Sequence, residues 1–138
     1  MSKVAVIYWS GTGNTQAMAA AVADGAKQGG AAVDLLTSGE VKDISAYDAV
    51  ILGCPAMGAE ELEESEFLPM LESIESALSG KRVALFGSYG WGDGEWMRSW
   101  EARCAEKGIA LAAESLIINE APDADGEARC KSLGASLV

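Results

Sequence analysis

Histidine is absent from this 138-residue sequence, and cysteine is rare and scattered. Without histidine, Ser-His and Cys-His catalysis and most transition-metal sites are excluded. The three cysteines, Cys54, Cys104 and Cys130, include no Cys-x-x-Cys spacing, which argues against a zinc site, an iron–sulfur cluster and a disulfide framework. We therefore expect three reduced cysteines that behave as small buried hydrophobic residues.

Positive charge is also scarce. The sequence contains 10 Lys and Arg against 21 Asp and Glu, which gives a formal net charge of −11. Such a surface repels nucleic acid and anionic membranes and attracts basic partner proteins. Long hydrophobic runs are missing, since residues 49–52 and 83–86 are far too short to span a bilayer. The start of the sequence does not resemble a secretory signal. We expect a cytoplasmic monomer that binds neither nucleic acid nor membrane.

The length suits one domain covering residues 1–138, and the 49% of hydrophobic residues is typical of a globular protein. Apolar runs alternate with amphipathic patterns along this domain. Strands are predicted at 4–8, 32–36, 49–53, 83–87 and, interrupted, 111–118. Helices are predicted near 15–28, 67–78, 96–104 and 123–137. This β-α-β-β-α-β-α-β-α order indicates an α/β fold with a parallel sheet covered by helices on both faces.

Ligands of such sheets bind outside the carboxyl ends of the strands. The loop after the first strand reads YWSGTGNT (residues 8–15) and runs into a helix. Glycines, hydroxyls and helix N–H groups are suited to a phosphate, although no lysine or arginine is near. The missing lysine excludes a Walker A loop, and Gln16 replaces the third glycine of a dinucleotide fingerprint. A plain strand-to-helix turn is the alternative.

The loops after the next two strong strands read CPAMGAEE (54–61) and SYGWGDG (88–94). Tyr89 and Trp91 lie among glycines, where aromatic side chains usually contact a ligand or a partner. Met57 could contact an aromatic face, although burial in the core is the simpler interpretation of that residue alone. Together the three loops suggest a planar ring between Met57 and Trp91 with its phosphate at residues 10–15, which describes a mononucleotide.

The motifs YWSGTGNT, GCPAMGAEELEES and ALFGSYGWGDGEWM, taken in this order, resemble those of the flavodoxins, specifically the short-chain type of anaerobic bacteria. The resemblance covers nearly the whole chain. It implies a three-layer, doubly wound five-stranded sheet in the order 2-1-3-4-5 and one noncovalently bound FMN.

The resemblance also implies a set of cofactor-binding residues. The phosphate would contact Ser10, Gly11, Thr12, Gly13, Asn14 and Thr15. Met57 would cover the inner face of the flavin and Trp91 the outer face, and Glu60 would accept a hydrogen bond from flavin N3–H. Backbone groups of Ala56, Met57, Gly58 and Ala59 and of Ser88, Tyr89 and Gly90 would contact the ring. Asn119 would lie behind the 57–60 turn and support it.

The implied function is one-electron transfer at low potential, cycling between semiquinone and hydroquinone in place of ferredoxin, and not enzyme catalysis. Partners would be oxidoreductases with basic docking surfaces. Residues 55–75 contain seven glutamates and no lysine or arginine, which would lower the second potential; the simpler interpretation of most of them is a solvated helix face. An FMN-dependent NAD(P)H-quinone reductase of the same fold is the alternative function.

Overall fold

The computed structural model describes residues 2–138 and contains a five-stranded parallel sheet in the order β2-β1-β3-β4-β5. The strands are β1 (Lys3–Tyr8), β2 (Ala32–Thr37), β3 (Ala49–Gly53), β4 (Arg82–Tyr89) and β5 (Leu116–Asn119). The helices are α1 (Asn14–Gln28), α2 (Phe67–Leu78), α3 (Glu95–Glu106) and α4 (Ala124–Ser136). The predicted fold class and strand order are confirmed.

The three central strands are buried on both faces, which explains why they read as continuous apolar runs. Helices α2 and α3 cover one face, where Phe67 and Trp100 meet edge to face at 5.5 Å between ring centroids. Helices α1 and α4 cover the other face. The strand order changes direction between β1 and β3, and the carboxyl ends of these strands therefore border the crevice in which such sheets bind ligands.

Most element boundaries differ from the sequence prediction by one or two residues. Strand β4 continues to Tyr89 instead of ending at residue 87, because Tyr89 pairs with Asn119 of β5. The interrupted last strand is confirmed, since Leu111 forms one isolated bridge to Val83 and the regular strand begins only at Leu116. The three cysteines are free and buried, as expected. Within residues 2–138, no helix is long and apolar enough to cross a membrane.

Helices α1 and α4 approach each other through glycines. A β-carbon on Gly25 would lie 2.0 Å from the carbonyl oxygen of Lys131, and one on Gly134 would lie 2.0 Å from that of Val22. Both distances are far shorter than a van der Waals contact, so each glycine is needed for close backbone packing. This contact fixes the carboxyl-terminal half of α1 against α4.

We predict that Gly25→Ala lowers the free energy of unfolding by about 1–3 kcal/mol, although alanine is the better helix former, because the helices must move apart. Urea denaturation measures the change. Gly39→Ala is the control, since a β-carbon there meets no atom within 4 Å. A Gly25→Ala protein at least as stable as the parent would contradict this packing.

Candidate functional site

A cavity of about 350 Å³ lies at the carboxyl edge of the sheet, where the loops after β1, β3 and β4 meet. Eight of the predicted site residues line it: Gly11, Thr12, Asn14, Ala56, Met57, Ser88, Tyr89 and Gly90. Three further residues line it that were not among the predicted contacts: Trp9, Pro55 and Glu120. Among these lining residues there is no lysine or arginine.

The loop after β1 presents the amino end of α1 toward this region. Gly13 is the N-cap, with φ +96°, and neither a side-chain cap nor an acidic residue occupies the first turn. The hydroxyl oxygen of Ser10 accepts hydrogen bonds from the N–H groups of Gly13 at 3.1 Å and Gln16 at 3.3 Å. Ser10 therefore shapes the loop, and the helix end retains the positive potential that favours an anion.

Thr15 supplies a direct test of whether a phosphate suits this loop. Its side chain is buried, at 1% exposure, and its Oγ1 has no hydrogen-bond partner among the residues described. Buried hydroxyls in native proteins are nearly always paired. A phosphate oxygen at the start of α1 would accept a hydrogen bond from this hydroxyl, so the residues present fit the phosphate of FMN.

The loop after β3 is held in place by backbone hydrogen bonds. The N–H of Ala56 donates to the carbonyl of Ser88 at 3.0 Å, which joins this loop to β4. The Met57 N–H donates to the Glu61 carbonyl at 3.0 Å, and the Glu60 N–H donates to the Met57 carbonyl at 2.8 Å. These bonds leave the Met57 side chain half-buried at the cavity wall, so its burial in the core is excluded as the explanation of this residue.

The two aromatic residues of the third loop differ in position. Tyr89 ends β4, is half-buried and lies 5.8 Å from the Trp96 ring. Trp91 is 62% exposed and is not among the residues lining the cavity. Trp91 is thus the most exposed aromatic side chain in the described part of the chain.

The prediction for Asn119 is wrong in one respect. Its side-chain amide donates to the carbonyls of Tyr89 at 3.1 Å and Gly90 at 3.4 Å, so it supports the third loop and not the 57–60 turn. The reason is the strand order, because β5 pairs with β4 and lies one strand further from β3.

Glu60 lies outside the cavity between the three loops and lines a neighbouring one of about 390 Å³, where it faces the start of α3. Its Oε2 accepts a hydrogen bond from the N–H of Trp96 at 3.1 Å, and its Oε1 is buried without a partner in the described part of the chain. Its backbone is left-handed, with φ +56°. The carboxylate is therefore anchored through one oxygen, while the other is buried beside Gly92 without a hydrogen bond.

Trp9 and Glu120 directly follow β1 and β5. Both could have been predicted, because ligands of such sheets bind outside the carboxyl ends of the strands. Trp9 packs over Gly11, whose β-carbon would lie 3.1 Å from its ring. The Glu120 N–H donates to the Tyr89 carbonyl at 2.8 Å, and its carbonyl accepts from the Ser88 hydroxyl at 2.7 Å. Glycine and hydroxyl content alone gave no signal for either residue.

Besides Glu60, two of the seven glutamates are not solvated. Glu75 is buried and pairs with Arg103 at 2.6 Å, so one acidic charge of this segment has a countercharge on α3. Glu63 is buried before α2, where its carboxylate accepts from the N–H groups of Glu66 and Phe67, both at 2.7 Å. The four exposed glutamates are solvated as expected, but only Glu72 lies on α2, and the simpler interpretation is wrong for Glu63 and Glu75.

Glu63 also connects the loop after β3 to Cys54, whose sulfur accepts from the Glu63 N–H at 3.5 Å. Burial raises the pKa of the Cys54 thiol to about 12, so this thiol is unreactive at neutral pH. Burial also raises the pKa of the Glu63 carboxyl, but hydrogen bonds from Ser65, Phe67 and Glu66 outweigh that effect and lower it to about 2. Glu63 is therefore ionised and fixes the start of α2.

We predict that Glu63→Gln lowers the free energy of unfolding by about 1–2 kcal/mol at pH 7, because it weakens the hydrogen bonds to the start of α2. Since the folded pKa lies below the ordinary 4.5, the stabilisation in the parent is present above pH 4.5 and lost as the pH falls toward about 2. The variant should lack this part of the pH dependence in urea denaturation. Glu66→Gln removes the same charge from an exposed position and is the control; equal effects would contradict the role of Glu63.

The chain resembles known proteins in both sequence and fold. The flavodoxin family model matches residues 6–134. The chain is 46% identical over 135 residues to a flavodoxin of Clostridium beijerinckii, covering 96% of this chain and 97% of that one. It is 47% identical over 137 residues to a flavodoxin of Megasphaera elsdenii, covering 98% of both.

Among solved structures, the fold matches the solution structure of two-electron reduced Megasphaera elsdenii flavodoxin with a TM-score of 0.88, 44% sequence identity and 97% coverage of both chains. The family match spans all three loops of the site as well as the sheet. The chain belongs to the flavodoxin family.

Proposed function

We propose that the cavity at the carboxyl edge binds FMN, with its phosphate against residues 10–15 and its ring between the loops after β3 and β4. As a flavodoxin, the chain is an FMN-containing electron-transfer protein and not an enzyme. When bound, FMN accepts and releases the electrons, and the protein sets the potentials. The observation that carries the placement is the buried, unpartnered hydroxyl of Thr15 at the amino end of α1.

The remaining contacts follow from the positions of the side chains. We propose that Ser10, Gly11, Thr12, Gly13 and Asn14 complete the phosphate loop, that Met57 covers the inner face and that Trp91 covers the outer face. The 62% exposure of Trp91 supports the last assignment, because this side chain can move over a bound ring. Asn119 would act through the Tyr89 and Gly90 carbonyls that it holds.

A low potential for the second electron follows from the negative charge at the proposed site. No cation lines the cavity in the described part of the chain, so the charge of a bound phosphate has no nearby ionic partner. The two arginines on the nearby α3 are already paired, Arg98 with Asp93 and Glu95, and Arg103 with Glu75. Addition of a further negative charge at the site is therefore unfavourable, which lowers the potential of the second electron.

We also propose a cytoplasmic monomer that docks basic surfaces of redox partners. The exposed acidic side chains around the loop after β3 would attract such surfaces. The three free, buried cysteines suit a reducing compartment. Large exposed hydrophobic side chains in the described part of the chain are Leu35, Trp91 and Val138, too few to form an extended apolar interface. The quinone reductase alternative is not favoured, because the high-identity relatives are named flavodoxins.

The test is FMN titration of the apoprotein of Thr15→Val, a variant of nearly equal shape without the hydroxyl. We predict about a tenfold or greater loss of affinity, because a hydrogen bond to a charged group is removed, with little change in apoprotein stability. Ser38→Ala is the control, since Ser38 is likewise buried with an unpartnered hydroxyl but lies in the turn after β2 and not at the amino end of α1. Unchanged FMN affinity of Thr15→Val would contradict the placement of the phosphate.

A further inference from the structure

We propose that Gly92 is a positioning residue, which leaves the space in which the Glu60 carboxylate is held for its hydrogen bond to flavin N3–H. The inference rests on the proposed FMN site and on the role of Glu60 within it. It adds a residue of the third loop that makes no proposed contact with FMN itself. Its basis is the packing of a carboxylate against a residue without a side chain.

The first observation is steric. A β-carbon on Gly92 would lie 1.5 Å from Oε1 and 2.6 Å from the carboxyl carbon of Glu60. The carboxylate therefore occupies the volume that any side chain at position 92 would need. Gly92 also has φ +87°, which strains any side chain, and the contact with Glu60 adds that a side chain here must displace the carboxylate.

The second observation is electrostatic. The Trp96 N–H, in the first turn of α3, donates to Oε2 of Glu60 at 3.1 Å, and the amino end of a helix favours a carboxylate. Trp96 is itself fixed, since its ring is 1% exposed and its indole N–H donates to the Cys54 carbonyl at 3.0 Å. One oxygen of Glu60 is thus bound to a rigid support.

The third observation concerns the other oxygen. Oε1 of Glu60 is buried and has no partner among the described residues, which is rare for a carboxylate oxygen in a folded protein. The turn that carries Glu60 is closed by its N–H bond to the Met57 carbonyl at 2.8 Å. Backbone, helix end and glycine together leave this carboxylate little freedom, so Oε1 is preorganised to accept a hydrogen bond.

The experiment compares Gly92→Ala with Gly108→Ala, which has φ +73° but no atom within 4 Å of the added β-carbon. The control measures the strain of alanine at a positive φ without displacement of a neighbour. We expect Gly92→Ala to weaken FMN binding to the apoprotein about tenfold or more and to raise the second-electron potential, because the carboxylate moves. Gly108→Ala should change stability alone. Equal effects of the two variants on affinity and potential would overturn the inference.

FMN affinity and the second-electron potential are then measured for Gly92→Ala in a Glu60→Ala background. With the carboxylate removed, Gly92→Ala should cause no further loss of affinity and no further shift of potential. A loss of the same size in both backgrounds would overturn the role of Gly92 while leaving that of Glu60 intact, since a general disturbance of the loop would persist. If Glu60→Ala alone changes neither quantity, the proposed role of Glu60 fails first, and the inference fails with it.

Discussion

The rest of this structure depends on one constraint. The proposed ligand cavity offers hydrogen-bond donors but no cation. Its lining contains glycine, hydroxyl and amide groups and no lysine or arginine within the described residues. An anion there must be held by N–H groups, hydroxyls and the end of α1, which requires each of them to be accurately placed. The Ser10 hydroxyl accepts from the N–H groups of Gly13 and Gln16 and so shapes the amino end of α1. Packing through Gly25 and Gly134 fixes the other end of this helix on α4.

The other wall of the site depends on buried polar contacts behind it. Cys54 accepts from the Glu63 N–H through its sulfur and from the Trp96 indole through its carbonyl, so one residue at the end of β3 holds both α2 and α3. Glu63 stays ionised because several hydrogen bonds outweigh its burial. These groups contact no proposed ligand, yet they fix the loop that carries Met57 and Glu60. The redox properties of the site are thus linked to the stability of its supports.

Much of this arrangement could be predicted from the sequence, because the signals were local. Continuous apolar runs located β1, β3 and β4, and glycine-rich segments after them located most of the cavity. The errors concern contacts between distant segments. Asn119 supports a different loop than expected because the predicted strand order does not give the hydrogen-bond partners of a single side chain. In the sequence, Glu63 and Glu75 look like exposed glutamates. Their burial depends on the folded structure, in which Glu63 accepts from the N–H groups at the start of α2 and Glu75 pairs with Arg103 of α3.

The central claim is that the charge of the FMN phosphate, which no cation of the cavity neutralises, lowers the potential of the second electron. The most direct measurement is a redox titration of Asn14→Lys, which adds a cation to the cavity lining, beside Gln28→Lys, which adds the same charge at the exposed far end of α1. The account predicts that Asn14→Lys raises this potential by a few tens of millivolts while Gln28→Lys barely changes it. Equal shifts in both variants, or none in either, would contradict the claim.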